Sequence, residues 1–540
     1  MIEPRHIVIV GGGVAGLVAA VDCLRVGIRV TVLEASEMFG GSVSPVEVAG
    51  MVLDGGAESY ATRGGHVREL VTALGLEDQI VTPNPAGAWL RRSDGASVPM
   101  PKTALLGIPA NPLAEDVRRV IGTRGATRAY LDRVRPVLTI GREHNLAELV
   151  RKRMGESVLT ELVTPVVRGV YSVGPEDIDV DRVAPGLNQA LTRTGSLGAA
   201  VAELTDAAGS ARAGARVEGI DGGMHVLVSA LVAEITRLGG AVHADTPVTA
   251  LYSGAIAPED LPMAEDADPA AVAEPAGDHT LWSLHTAGNV LHYADRVIIA
   301  TAELPAFALL ADAVPALAEE TAEVSPEVVL ATLLLDAPNL DGHPRGSGVL
   351  IADQTDERGV RAKALTHSSA KWGWLANALA EFPGRHAVRL SFDPDRLGER
   401  TDDELAEIAR ADAAAILGVD LPESAVVGFA RTRWRSTPPG AARGARERAE
   451  RIRAAITAVP GLDVTGAWLS GTGLASVVPD AHAAAKRVRH LVATEYLEND
   501  ELRGGAAPAA PSAPVAGEED PSPASASTAP SNTVDTNTKE

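Results

Sequence analysis

The sequence predicts an α/β fold with a parallel sheet at its N-terminus, and three observations carry that prediction. His6-Ile7-Val8-Ile9-Val10 is a short β-branched run of the kind found in buried parallel strands. Gly11, Gly13 and Gly16 follow as G-x-G-x-x-G and open a helical stretch from about Val14 to Val26 that Gly27 ends. A second strand, Arg29–Leu33, then delivers an acid, Glu34, 21 residues after Gly13. Strand, glycine turn, helix, strand and acid in that order make a Rossmann-type βαβ unit, not a chance glycine cluster.

Each part has a physical task. Gly11 allows the tight turn, Gly13 lets backbone approach a pyrophosphate, and Gly16 lets helix and strand pack closely. With Gly12, Val14 and Ala15 they form the loop and first turn, where free N–H groups and the helix dipole favour negative charge. Glu34, followed by Ala35, can accept from the ribose hydroxyls of an adenosine, and its charge disfavours a 2′-phosphate there. The unit therefore binds an adenine dinucleotide other than NADP.

Composition bounds the rest. At 540 residues the chain is long enough for two or three domains, with 46% apolar and 22% charged residues. The net charge of −23 repels phosphate backbones and anionic membranes, so nucleic acid is not an expected partner. The single cysteine, Cys23, excludes an intramolecular disulfide, fits a reducing compartment and reads as a core residue of the first helix. No zinc-type Cys/His spacing occurs, and no metal is expected. Without a secretory signal or a run of 18 apolar residues, the chain reads as cytoplasmic with no transmembrane segment.

Past residue 110 helical spacing dominates, at Leu113–Arg118, Leu146–Met154 and Ser157–Val167. Gly222-Gly223-Met224 precedes a helix over Val226–Leu238, a strand near Val242 and a Pro247-Val248 step. Further strands are expected near Val297–Ala300 and Val328–Leu335. Residues 253–278 hold four prolines and seven acids with no base, and read as a surface insertion. Residues 504–540 are rich in Pro, Ala, Ser and Thr, lack aromatics, and read as a disordered tail.

More sequence distinguishes the dinucleotides. Glu34-Ala35-Ser36 runs on to Gly40-Gly41-Ser42, and Asp54-Gly55-Gly56-Ala57-Glu58-Ser59 follows a short strand. This resembles the flavoprotein superfamily of amine oxidases, phytoene desaturases and protoporphyrinogen oxidases, whose second glycine loop wraps the FAD pyrophosphate and ribityl chain. Val248 is similar to the residue that brackets the adenine there, and Ala294–Thr301 to the strand returning beneath the cofactor. Gly471-Thr472-Gly473-Leu474-Ala475 resembles the segment that sets a helix N-terminus against the flavin pyrimidine, where the helix end favours the negative charge of reduced flavin.

Three segments resemble the porphyrinogen oxidase branch: Thr164-Pro165 with Gly169-Val170-Tyr171, Pro344–Leu350, and His367–Trp372. The likeness spans about residues 5–495 and is greatest to the coproporphyrinogen III oxidases of Gram-positive bacteria. It implies an amine-oxidase-like flavoprotein fold, with a Rossmann-type FAD-binding domain, an α+β substrate domain and a mostly helical subdomain. The FAD-binding parts are expected at 1–100, 216–310 and 441–500, and the helical and substrate parts at 101–215 and 311–440, before a tail at 501–540.

It further implies a porphyrinogen substrate, molecular oxygen as acceptor and transient contact with a ferrochelatase. The four propionates of coproporphyrinogen III call for basic residues, and Arg63 and Arg168 are the candidates. Trp434 either contacts flavin or fills a core. No acid–base residue is singled out, because pyrrole protons can leave to solvent. Met38 replaces an arginine usual in the family, Gly440, Ala441 and Ala445 replace its Gln, Tyr and His, and Pro479 stands where it often has glycine. Protoporphyrinogen IX oxidation, another amine-oxidase-type chemistry, and a non-catalytic FAD-binding partner protein stay open. His66, His367 and His482 show no convergent partner in sequence and are read as surface or structural.

Overall fold

In a computed structural model of the chain, the β-branched run becomes the fully buried strand His6–Val10. The structure describes residues 5–136, 143–207, 217–256, 271–272, 280–323, 327–352, 359–435, 442 and 444–502. Residues 440 and 441, most of the acidic insertion and the tail from 504 lie outside that set.

The helix Val14–Leu24 buries ten of its eleven residues, Cys23 among them, and the strand Arg29–Leu33 pairs parallel to the first. Burial pushes the Cys23 thiol up to about 12, so it stays a packed, unreactive thiol. Three further strands complete a parallel five-stranded sheet in the order Ala241–His243, Arg29–Leu33, His6–Val10, Arg296–Ile299, Leu462–Val464. Its central strands are apolar on both faces because helices cover both. The helix expected at Val226–Leu238 spans His225–Arg237 and packs on the first helix.

A second, seven-stranded sheet runs in the order Val426–Arg435, Glu327–Asp336, Arg385–Phe392, Ala364–His367, Gly348–Ile351, Ala88–Arg91, Ser97–Pro99. The helix Asp402–Leu417 covers it, started by a capping box of Thr401 and Glu404. A third core is helical and draws on residues between Leu90 and Val201.

Two helical expectations are corrected in detail. Of the stretch Leu113–Arg118, only Glu115–Arg118 is helical, opening a run to Tyr130 that breaks at Gly122, whose φ is +68°. The stretch Ser157–Val167 is not one α-helix. A turn at Glu156–Val158 passes into a π-turn at Leu159–Val163 and then the helix Thr164–Tyr171. Pro165 has no N–H to give the turn before it, and the backbone widens there.

Met1–Leu491 is one compact unit by its internal contacts, and Val492–Glu540 is the other. None of the described helices is long and apolar enough to cross a membrane.

Candidate flavin site

The fingerprint loop is held where only glycine fits. Gly11 has φ +110°, and a Cβ there would lie 2.7 Å from the Ala300 carbonyl carbon. A Cβ on Gly16 would stand 2.0 Å from the Gly11 carbonyl oxygen, and one on Gly12 2.4 Å from the Phe39 ring. Gly13, by contrast, has nothing within 4 Å of its Cβ position. That side of the loop, at the N-terminus of Val14–Leu24, is open to a phosphate group. Gly11, Gly12, Val14, Ala15 and Gly16 are buried beneath it, and Gly13 is half-buried.

Glu34 ends its strand beside this loop. Its Oε2 accepts from Gly12 N at 2.6 Å, and its Oε1 from Ser36 N at 2.9 Å and Ser36 Oγ at 2.6 Å. A carboxylate accepts about four hydrogen bonds, so capacity for a ribose hydroxyl remains while the chain fixes the orientation. Val248 lies close by along the chain, since Thr246 N donates to Glu34 O at 2.7 Å. Ala35, Gly41 and Ser42 are exposed, as is Met38 at 53%.

The two glycine loops lean on each other. Gly40 N donates to Gly12 O at 2.8 Å, and Ala57 N donates to Ser42 O at 2.8 Å. A Cβ on Gly56 would fall 2.1 Å from Ser42 O. Gly56, Ala57 and Ser59 are half-buried, and Trp434 Nε1 donates to Gly55 O at 2.7 Å. Trp434 thus braces the second loop from the end of the seven-stranded sheet.

Glu58 is engaged by the protein itself. Lys371 Nζ lies 2.5 Å from one carboxylate oxygen and Arg389 Nη2 3.1 Å from the other. Burial alone would raise its pKa, but Arg389 and then Lys371 outweigh burial and hold it at about 2. Arg389 also donates to Gly56 O at 2.6 Å. These two cations carry no sequence signal for this role, because they stand more than 300 residues from the loop they secure.

At the far end of the chain, Trp468 Nε1 donates to Thr301 O at 3.1 Å, tying the segment before Gly471 to the end of the strand Arg296–Ile299. Gly473 O accepts from Ser476 N and Val477 N, so the helix Leu474–Leu502 starts there, with Gly473 exposed. The first N–H groups, on Leu474 and Ala475, face out of that helix end. Pro479 lies within the helix, and Ala445 opens another, Ala445–Thr457.

Arg63 reaches the same helix end, with Nη2 3.5 Å from Ser476 Oγ. It also faces Tyr171, whose hydroxyl is pushed up by burial with Arg63 opposing. Arg168, one turn back from Tyr171, lines a cavity of about 740 Å³ with Ser172, Leu304, Asp393 and Arg435, among others. Two walls of this cavity adjoin the cofactor cradle in sequence. Leu304 follows Ala300, against which Gly11 packs, and Arg435 follows Trp434. Arg63 and Arg168 therefore sit on connected elements, and Arg63 is not in the wall of this cavity.

The histidines divide. His66 is exposed beside Glu69, and His482 Nδ1 lies 2.7 Å from Asp22 Oδ2. His367, read as partnerless, is instead fully buried with Nε2 3.1 Å from His386 Nδ1, and His386 Nε2 is 2.9 Å from Asp341. Burial, then the neighbouring His386 and His343, hold His367 down at about 3. Adjacent strands make this pairing, which no sequence spacing announces. A surface group of His144, Asp179 and Asp181 also converges, but Asp179 caps the helix Val180–Val183 and Asp181 accepts from Asn188.

The glycine loops, the open helix N-terminus and the oriented Glu34 suit the adenine dinucleotide that the βαβ unit requires. Residues 14–489 match the family model of flavin-containing amine oxidoreductases. The coproporphyrinogen III oxidase of Bacillus subtilis is 24% identical over 492 residues, spanning 89% of this chain and 97% of that protein. That of Mycobacterium leprae is 29% identical, spanning 91% and 99%. Among solved structures, a protein of Exiguobacterium sp. 255-15 provisionally assigned as a protoporphyrinogen oxidase superposes with a TM-score of 0.74 at 22% identity, over 90% of this chain and 99% of that one. Cyclohexylamine oxidase from Brevibacterium oxydans gives 0.59 at 16%, over 91% and 100%. These two share the fold. The chain belongs to the flavin-containing amine oxidoreductase family, and the adenine dinucleotide its fingerprint serves is FAD.

Proposed function

We propose that this oxidoreductase converts coproporphyrinogen III to coproporphyrin III in haem biosynthesis. The observation that carries the reading is a cavity of about 740 Å³ with Arg168, Arg396 and Arg435 in its wall, two of whose lining residues, Leu304 and Arg435, stand close in sequence to the cradle residues Ala300 and Trp434. Its volume suits a large ligand, and its guanidinium groups suit carboxylates. Near full-length similarity to coproporphyrinogen III oxidases supports the same substrate.

The macrocycle loses six hydrogens in all, and three molecules of oxygen become three of hydrogen peroxide. When bound, FAD supplies the acceptor for hydride from carbon. The chain's own residues bind and orient. Glu34 and the fingerprint loop fix the adenosine and pyrophosphate, and Gly56–Ser59, braced by Arg389, Lys371 and Trp434, hold the second loop in place. The helix end at Leu474 and Ala475 offers N–H groups to developing negative charge. Arg63 and Arg168 attract the substrate's carboxylates. Pyrrole protons leave to solvent, and no side chain acts as a dedicated base. The reaction takes place in the cytoplasm, and product passes to a ferrochelatase through transient contact.

The test is to purify the protein, record its flavin spectrum, and follow porphyrin fluorescence with coproporphyrinogen III and protoporphyrinogen IX. Turnover of the first is expected, together with loss of FAD on Glu34→Ala. Bound FAD with no turnover of either substrate overturns the enzymatic reading, and turnover of protoporphyrinogen IX alone replaces the substrate.

A further inference from the structure

Six charged side chains line the large cavity, and they are not equivalent. Glu327 is engaged by Arg433, with Nη1 3.2 Å away. Asp393 is engaged by Lys363, whose Nζ is 2.7 Å from its carboxylate and also donates to Ser172 Oγ at 3.1 Å. Lys363 is only 5% exposed, so it neutralises Asp393 from behind the wall. Asp395 is the remaining acid and is exposed. Against it stand Arg168, Arg396 and Arg435, in a chain whose net charge is −23.

Arg435 is distinct among the three. It is exposed, and among the described residues it has no hydrogen-bond or ion-pair partner. Its cross-strand neighbour is Glu327, which would be the natural partner, yet that carboxylate is taken by Arg433 two residues earlier. The guanidinium fork, suited to grip a carboxylate through two parallel N–H groups, is unpaired among the described residues. Facing elements are pinned. Ser172, at φ +58°, ends the helix Thr164–Tyr171, and its N–H donates to Arg168 O at 3.0 Å. The Lys363 bond then links that helix end to the Asp393 segment.

We propose that Arg435 is a carboxylate-binding residue of this cavity, taking one acidic arm of the macrocycle, and that it favours a four-carboxylate porphyrinogen over a two-carboxylate one. The proposal rests on the porphyrinogen reading above and adds a specificity-determining residue to it.

The test uses the FAD-loaded full chain with Arg435→Gln and Arg435→Lys. Binding of coproporphyrin III, with four carboxylates, and protoporphyrin IX, with two, is followed by fluorescence titration. Arg435→Gln is expected to weaken coproporphyrin III about tenfold, the size of one lost charged hydrogen bond. It should raise KM for the matching porphyrinogen more than it lowers kcat, with the flavin spectrum and melting temperature unchanged. Arg435→Lys should recover part of the loss, and protoporphyrin IX should respond less. Unchanged coproporphyrin III affinity in Arg435→Gln overturns the binding role, and equal weakening of both porphyrins overturns the specificity role. If the unaltered protein binds neither porphyrin, the porphyrinogen reading itself falls, and the proposal falls with it.

Discussion

A carboxylate as buried as Glu58 stays ionised only because two cations meet it. Lys371 and Arg389 come from the seven-stranded-sheet region, and Arg389 continues to the Gly56 carbonyl, so one ion-pair cluster sets the second glycine loop. Removing the acid strands both cations in a poorly hydrated place. Glu58→Gln is expected to destabilise the protein by about 3–5 kcal/mol, measured by chemical denaturation, and to weaken FAD retention. The pH dependence has a definite sign. The folded pKa of about 2 lies below the ordinary 4.5 of the unfolded chain, so this stabilisation is complete above pH 4.5 and is lost as pH falls toward 2. Glu58→Gln should remove that part of the acid-unfolding curve. If the curve of the variant matches the original, the cluster does not have this role. Glu34 was legible in the sequence because its spacing from Gly13 has a mechanism. The partners of Glu58 were not, because an ion pair across more than 300 residues leaves no periodic trace. The same holds for His367 and His386, which adjacent strands bring together.

At the scale of elements, the fingerprint unit is where local chemistry and tertiary packing agree. Its strand and second strand begin and end where the sequence places them, and its helix ends two residues earlier, at Leu24. Glycine at position 16 is required by contact rather than by dihedral angle, since a Cβ would stand 2.0 Å from the Gly11 carbonyl oxygen. Gly16→Val should therefore push the helix off the turn and abolish FAD binding. Flavin absorbance after gel filtration reads this directly, and a variant that keeps stoichiometric flavin would show that the close packing is dispensable. Elsewhere periodicity located helices but missed their interruptions. The π-turn before Pro165 keeps the apolar spacing nearly intact while redirecting the chain. Proline and glycine mark such places, but an apolar pattern read on its own runs through them.

For the whole molecule, the cofactor cradle is assembled from parts that are far apart in the chain. The last strand of the five-stranded sheet, Leu462–Val464, joins more than 160 residues after Arg296–Ile299, and the helix beginning at Leu474 follows it. A G-x-G-x-x-G motif alone identifies the first part of such a cradle and says nothing of the last. The junction between sheet and helix is organised by Asp480. Its Oδ2 accepts from Thr465 Oγ1 at 2.7 Å and Gly466 N at 3.2 Å, and its Oδ1 from Arg453 at 2.7 Å. Thr465 is fully buried, so its hydroxyl has no water to turn to if the acid is removed. Asp480 lies within the second turn of the helix, so the expected effect of its loss on FAD is indirect, through where the Leu474 and Ala475 N–H groups point. Asp480→Ala should weaken FAD by at least tenfold, since charged hydrogen bonds of about 1.5–3 kcal/mol each are lost at the joint. Asp480→Asn, which keeps an acceptor for Thr465 and Gly466, should lose less. Flavin fluorescence on release, read beside the melting temperature of the flavin-free protein, separates positioning from general destabilisation. A lower melting temperature with unchanged FAD affinity would mean that the helix end does not depend on this joint.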